Sequence, residues 1–256
     1  MYSLEVHLVD YCNLNCRSCM HFCPLVKDKK HANIDEIIRD LIRLNAIKCT
    51  PNVLKLLGGE PLLHPNIIDS LELFRGVVPN SEIIIWTNGL LLPKMNIQFY
   101  ENCKFFDIKI IVTGYPVKNM TEIQSIVNNY NFIKFDEYFN QHKTFWESPL
   151  HEYKTDLPYI NYNKCRIKYG RCNILKDGKI YQCALPAYIN YLNNYFDCNF
   201  ILDSRDYVDI YKIQNEIDII NSLYQPTPFC QYCSAECKKN FNWELSKTDS
   251  SEWLKK

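Results

Sequence analysis

Residues 4–19 read LEVHLVDYCNLNCRSC. Leu4–Val9 is an apolar-rich run of strand length, and it leads directly into Cys12, Cys16 and Cys19 at CxxxCxxC spacing. Three thiols in one loop suit one face of a cubane iron–sulfur cluster, ligating three irons and leaving the fourth open. A structural zinc ion wants four ligands and a closed tetrahedron. A zinc knuckle that takes Cys23 as its fourth thiolate is the alternative.

Working outward, a second strand at Val53–Leu57 ends at Gly58-Gly59-Glu60-Pro61. Two glycines let backbone approach a ligand closely. Glu60 adds an acceptor suited to an ammonium group. A third strand, Glu82–Trp86, ends at Thr87-Asn88-Gly89, where Thr87 and Asn88 offer hydrogen bonds to a sugar hydroxyl. Helical spacing of Ile34, Ile37, Ile38, Leu41 and Ile42 predicts a helix over Ile34–Leu44 with Asn33 as its N-cap. A second helix is expected from about Asn66 to Phe74, after Pro65. Strands at Ile108–Val112 and Phe132–Phe135 flank a helix at Thr121–Asn129. Strands alternating with helices imply an α/β fold with a parallel sheet. Each motif follows a strand's C-terminal end, where α/β barrels build their sites.

Further along, Gln141–Tyr162, with Pro149 and Pro158, reads as a connector. Asp177-Gly178-Lys179 between apolar runs reads as a hairpin turn. Asp206–Leu223 has a helical pattern. The tail Asp249–Lys256 is expected to form a short helix with Trp253 packed back on the body.

The chain has 256 residues, 29 basic and 29 acidic, and 47% of them are apolar. That is enough for a substantial core. The balanced charge argues against a nucleic-acid binder, and 14% aromatics argues against disorder. No apolar run approaches the roughly 18 residues of a membrane helix. Glu5, His7 and Asp10 stand where a signal peptide needs apolar residues, so a cytoplasmic location is expected. Thirteen cysteines are many for such a protein, and in a reducing compartment clustered cysteines point to metal. Cys49 and Cys103 stand alone and read as buried, apolar-like thiols. His7, His21, His31, His64, His142 and His151 show no metal-ligand spacing, which leaves them packing or surface roles, with His64 close to the second motif.

Together the three motifs resemble the radical S-adenosylmethionine superfamily. In that family CxxxCxxC after the first barrel strand binds a 4Fe–4S cluster, and a Gly-Gly-Glu motif after the second binds the methionyl amine of S-adenosylmethionine. The resemblance implies Cys12, Cys16 and Cys19 as cluster ligands. It implies Gly58, Gly59 and Glu60, with Thr87 and Asn88, as cofactor-binding residues. It further implies that the cluster and S-adenosylmethionine together remove a hydrogen atom from an unactivated C–H bond. Ser18 stands where many members carry an aromatic residue, and His21-Phe22 follows the loop instead.

The C-terminal cysteines extend the resemblance. A hairpin flanked by cysteines, then a helix, then Cys230-Gln-Tyr-Cys233, is similar to the twitch or SPASM auxiliary-cluster modules of this superfamily. The thiols suffice for one auxiliary 4Fe–4S cluster. The layout is similar to that of butirosin-pathway aminocyclitol dehydrogenases, which implies Cys165, Cys183, Cys230 and Cys233 as ligands. The SPASM pattern adds Cys172, and Cys237 ranks last. A zinc ribbon is the alternative, since zinc also accepts four thiolates.

The expected architecture is therefore a partial (β/α)6 TIM-like barrel over residues 1–150 and a small Cys-rich auxiliary module over 151–256. The expected function is that of a radical oxidoreductase or epimerase acting on a small polar substrate, a sugar or cyclitol. Its electrons would come from a donor such as flavodoxin or ferredoxin, with no nucleic-acid or membrane partner. A peptide-modifying maturase is the second reading. Because the first strand opens at about Ser3, a leader-binding domain before the barrel is not expected. A non-catalytic iron–sulfur or zinc protein is the third reading, and the Gly-Gly-Glu motif argues against it. The catalytic base or hydrogen donor is not legible, with Cys172, Cys198 and Cys237 as spare thiols.

Overall fold

Strand β1 (Ser3–Val9) is buried along almost its whole length, with Leu4, Val6 and Leu8 fully enclosed. Burial on both faces is the mark of a parallel strand covered by helices. Asn33 then caps α1 (Ile34–Ala46), its side chain accepting from the Asp35 amide at 3.0 Å, with Asp35 and Glu36 in the first turn. The chain continues through β2 (Val53–Gly58), α2 (Ile67–Val77), β3 (Glu82–Thr87), α3 (Ile97–Phe105), β4 (Ile108–Val112), α4 (Met120–Asn129) and β5 (Ile133–Phe135). The sequence reading contains no α3. Its buried residues Phe99, Tyr100 and Cys103 make only a narrow stripe, and it is started by the Asn96 side chain accepting from the Phe99 amide.

The computed structural model describes residues 2–136, 144–147, 149–155, 158–165, 172–234 and 240–255. Cys237, His142 and part of the connector lie outside them. The later elements are β6 (Thr144–Trp146), α5 (Pro158–Asn163), β7 (Asn173–Lys176), β8 (Lys179–Tyr181), α6 (Ala184–Phe196), β9 (Tyr207–Asp209), α7 (Glu216–Leu223) and β10 (Asn240–Asn242). β6 and β10 form a separate antiparallel ribbon.

The main sheet has the order β5-β4-β3-β2-β1-β7-β8-β9. From β5 to β7 every pair is parallel, and β8 and β9 add on antiparallel. This is a mostly parallel α/β sheet of the partial-barrel kind. Its sixth parallel strand, β7, comes from beyond residue 170 and pairs with β1 through Leu4 and Asn173. The β7–β8 hairpin turns at Asp177 (φ 51°) and Gly178 (φ 69°), as the Asp-Gly pair predicts. The Gly178 amide donates to the Asp40 carboxylate at 2.9 Å, which ties the hairpin to α1.

The helix expected over Asp206–Leu223 is shorter. Tyr207–Asp209 instead pairs with β8 at the sheet edge, and α7 begins only after Asn215, whose side chain accepts from the Ile217 amide at 3.0 Å. A ladder satisfies backbone groups that a helix would otherwise satisfy, so the edge competes for this segment. At the tail, Asp249 and Glu252 make a capping box around a single 3-10 turn, and Trp253 is buried.

Two cores result. One fills the space between β1–β5 and the barrel helices; Cys49 and Cys103 are buried within it, as expected. The other surrounds α6 and includes Phe22, Tyr188, Phe229 and Trp253. No helix among the described residues is long and apolar enough to cross a membrane.

Candidate functional site

The loop after β1 is shaped by left-handed residues, Asn15 (φ 56°), Ser18 (φ 55°) and Phe22 (φ 55°). Such conformations cost energy unless surroundings fix them. The fixing comes from the far end of the chain. The Trp253 indole donates to the Cys19 carbonyl at 2.9 Å, and the Ser18 hydroxyl donates to the Glu252 carbonyl at 2.9 Å. The Arg17 amide donates to the Glu244 carbonyl, and the Ser246 amide donates to that of Asn15.

The thiols receive N–H donors. The Leu14 amide donates to Cys12 Sγ at 3.4 Å and the Trp243 indole to Cys16 Sγ at 3.2 Å. Cys23 hydrogen-bonds Cys19, and the amides of His21, Phe22 and Cys23 add to this, holding the Cys19 thiol below its ordinary value. Cys23 thus stands as a donor beside the trio. Among the described residues no three Cys, His, Asp or Glu side chains close on a single ion. The fit to a cluster rests on the donor set: three thiols in one loop, each with N–H···S or S–H···S support.

The Gly-Gly turn lies against this loop. A Cβ on Gly58 would meet the Val9 carbonyl at 2.1 Å, and one on Gly59 would meet the Tyr11 carbonyl at 1.9 Å. Only glycine permits that approach, which the Gly59 amide seals by donating to Val9 O at 2.8 Å.

Glu60 follows directly on the turn. Its side chain is fully buried behind the turn. Oε1 accepts from the Thr87 hydroxyl at 2.6 Å and the Leu62 amide at 3.1 Å, and Oε2 accepts from the Asn88 amide at 2.9 Å. Burial outweighs these donors and pushes its carboxyl up to about 7. The Asn88 side chain in turn donates to Asn13 Oδ1 at 2.7 Å. Glu60 therefore latches the second motif to the third, and Asn88 latches the third to the cysteine loop. Both of its oxygens accept from the protein.

A cavity of about 650 Å³ opens between these turns. Cys12, Cys16, Cys19, Gly58, Gly59, Thr87 and Asn88 line it, so seven of the eight residues expected from the three motifs converge there. Three further lining residues were not legible in sequence: Glu5, Lys55 and Trp86. Glu5 and Lys55 are register partners on β1 and β2, and Lys55 Nζ lies 2.9 Å from Glu5 Oε1. Lys55 Nζ also lies 5.5 Å from the Trp86 ring centre. Glu5 precedes Val9 by four residues, roughly 13 Å of strand, so the pair lies deep in the barrel. An acidic residue between Leu4 and Val6 in a doubly buried strand is the signal that marks it.

His21 also lines the cavity, and burial lowers it to about 3, which keeps it neutral. Its Nδ1 pairs with His7 Nε2 at 2.7 Å, and His7 Nδ1 donates to Asp10 at 2.8 Å. Tyr188 stacks on His7 with ring centres 4.0 Å apart. His64, expected near the site, instead pairs with the Ala32 carbonyl at 3.2 Å and does not line the cavity.

Of the C-terminal thiols, Cys183 is partly buried, and burial together with Cys233, Cys165 and Cys230 pushes its thiol up. Cys230 and Cys172 both also feel Cys165. Cys172 hydrogen-bonds Glu5 and lines the barrel cavity, and burial and Glu5 push it up to about 12. β7 begins at the next residue and is paired to β1, which carries the thiol to Glu5.

A family profile described as a 4Fe-4S single cluster domain matches residues 4–133. GTP 3',8-cyclase of Trichodesmium erythraeum is 32% identical over 108 residues, 38% of this chain and 30% of that protein. GTP 3',8-cyclase of Rippkaea orientalis is 26% identical over 166 residues, 62% of this chain and 48% of that one. The chain spans less than half the length of either. Among solved structures, BtrN in complex with AdoMet and 2-DOIA is 14% identical, with 91% of this chain and 93% of that chain covered and a TM-score of 0.56. That similarity is one of fold.

Proposed function

Since the chain belongs to the radical S-adenosylmethionine superfamily, with a 4Fe–4S single cluster domain over half its length, we propose that it abstracts a hydrogen atom from a carbinol carbon of a small polar molecule, a sugar or cyclitol. The observation that carries this reading is the cavity. It joins the three loop thiols and the Gly-Gly turn to a buried Glu5–Lys55 pair beside Trp86. Polar groups buried in a pocket demand polar partners, and a polyol supplies hydroxyls to both signs of charge. The size lies within the range of small-molecule sites. The fold shared with BtrN, solved with AdoMet and 2-DOIA, supports a small molecule rather than a peptide.

Cys12, Cys16 and Cys19 would hold the 4Fe–4S cluster, with S-adenosylmethionine against Gly58 and Gly59. When bound, cluster and cofactor supply the hydrogen-abstracting chemistry. The chain's own work is placement. Glu60 fixes the two turns relative to each other. Asn88 and Thr87 form the wall next to them. The aromatic residues Tyr115, Phe145 and Trp146 line the cavity and limit water there. Cys165, Cys183, Cys230 and Cys233 would hold one auxiliary 4Fe–4S cluster, and the module that carries them is taken to start after about residue 150. Electrons would reach the protein from a carrier of the flavodoxin or ferredoxin class.

Anaerobically reconstituted protein is expected to carry about eight iron atoms per chain, two clusters' worth. With dithionite it should cleave S-adenosylmethionine to 5′-deoxyadenosine and methionine, faster when myo-inositol, glucosamine or a related polyol that fits the cavity is added. Full iron content without any cleavage would overturn the reading. Zinc recovered in place of four irons would replace the auxiliary cluster by a ribbon.

A further inference from the structure

We propose, on the cluster reading of Cys12, Cys16 and Cys19 given above, that the Trp243 indole and the Tyr115 hydroxyl raise the reduction potential of that cluster through the Cys16 sulfur. Trp243 is then a positioning residue that the C-terminal segment contributes to the first site.

Cys16 is buried, at 8% exposure. The Trp243 indole donates to its Sγ at 3.2 Å. The Tyr115 hydroxyl donates to the same sulfur, and the Tyr115 and Trp243 ring centres lie 5.8 Å apart. An indole N–H is a donor only, so what Trp243 offers Cys16 is a hydrogen bond and no ligand of its own. The other two thiols are served differently. Cys12 receives the Leu14 amide at 3.4 Å and the Asn88 side-chain amide at 3.6 Å. Cys19 is served by Cys23 and by the amides that follow it. Cys16 is where two aromatic side chains, one from the loop after β4 and one from the segment after β10, meet a single ligand sulfur.

Backbone pairing holds the indole in place. Cys16 pairs with Leu245 in an antiparallel bridge. The Arg17 amide donates to the Glu244 carbonyl at 3.1 Å, and the Ser246 amide donates to the Asn15 carbonyl at 2.9 Å. The Arg17 guanidinium adds ion pairs to Glu147 at 2.9 Å and to Glu244. On the other side of Trp243, β10 is paired with β6. Trp243 is not among the cavity-lining residues, so its change leaves the cavity wall in place.

Reduction adds one electron, taken from a carrier of the flavodoxin or ferredoxin class, which is oxidised. No bond forms or breaks, and no proton moves. The added negative charge is shared by the ligand sulfurs. N–H and O–H dipoles aimed at one of them stabilise the reduced form more than the oxidised one, and more strongly away from water. Both donors therefore make the electron easier to accept.

Reconstituted parent, Trp243→Phe, Tyr115→Phe and the double variant are titrated anaerobically with redox dyes and followed by electron paramagnetic resonance. A fifth protein carries β-(3-benzothienyl)alanine in place of Trp243. There a sulfur replaces the indole N–H, so the bicyclic shape stays and the donor goes. Added S-adenosylmethionine identifies the signal of the cluster with the open iron. Trp243→Phe and the benzothienyl protein should keep the parent's iron content. Their one-electron reduction constant at that signal should fall about tenfold, which is 59 mV for one electron. Tyr115→Phe should lower it as well, and the double variant should lie below either single one. The auxiliary signal should not move. An unchanged potential in the benzothienyl protein would overturn the proposal, because packing and not the N–H would then be at work. An equal shift of both signals, or iron lost from the benzothienyl protein, would overturn it too. A parent with no signal that responds to S-adenosylmethionine would fail the reading of the site itself, and the tuning role would fall with it.

Discussion

The loop thiols Cys12, Cys16 and Cys19 follow a seven-residue strand whose Leu4, Val6 and Leu8 are fully enclosed by the barrel core. Cys183 is the N-cap of the thirteen-residue α6, whereas Cys165 follows a six-residue helix and Cys230 and Cys233 lie in and just after a 3-10 turn. In the first region the core positions the thiols. In the second, only Cys183 stands on a long element, and a metal group would contribute to folding where Cys165, Cys230 and Cys233 sit. The difference teaches which half can lose its ligands and remain folded.

The largest effect should come from the first region, and on chemistry alone. The triple variant Cys12→Ala, Cys16→Ala, Cys19→Ala should lose about half the iron and all S-adenosylmethionine cleavage. Its β1–β5 amides should stay protected in hydrogen exchange. Loss of that protection would break the comparison. Next, Cys183→Ala should lose the other half of the iron and also expose α6 and its surroundings to exchange, with β1–β5 unchanged. Equal protection in both halves would mean that the α6 core stands without its metal.

A third test lies deep in the first region, at Glu5 and Lys55. Lys55→Met leaves the Glu5 carboxylate buried and unpaired, which should cost about 3–5 kcal/mol in urea unfolding of the apoprotein. Adding Glu5→Gln should return much of that loss. A double variant no more stable than Lys55→Met would show that the pair does not act as a unit.

The fourth and smallest effect is a pH dependence inside the barrel. The Glu60 carboxyl is raised from 4.5 to about 7 by burial. A raised folded value means that the folded state holds its proton longer than the unfolded chain does. The contribution is therefore fully present below 4.5 and lost as pH climbs through 7. The loss should be on the order of 3 kcal/mol in the apoprotein. Glu60→Gln should flatten that slope between the two pH limits while keeping much of the latch. An unchanged slope would assign it to other groups.

Much of the barrel was legible because its signals are local. Alternation of apolar strands and capped amphipathic helices is written within windows of a dozen residues, and Ile108–Val112 and the Asp177-Gly178 turn stand where the pattern puts them. The narrow stripe of α3 and the edge pairing that shortens the helix before Leu223 were not, since packing partners decide them. In the site, spacing announced the three loop thiols and the Gly-Gly turn. Spacing named Glu60 but not the direction of its side chain, which the fold turns toward the Thr87 hydroxyl and the Asn88 amide.

The sequence by itself determined the α/β order, the thiol loop and the superfamily, since each depends on residues near one another in the chain. Only the tertiary structure decided that Trp253 and Ser246 brace the loop over more than two hundred residues. It alone joined Glu5 to Lys55 and brought the Cys172 thiol to Glu5. The braces come from the C-terminal segment folding back on the loop. The contacts of Glu5 arise from the register of β1 with β2 and β7, and no local window of sequence contains that register.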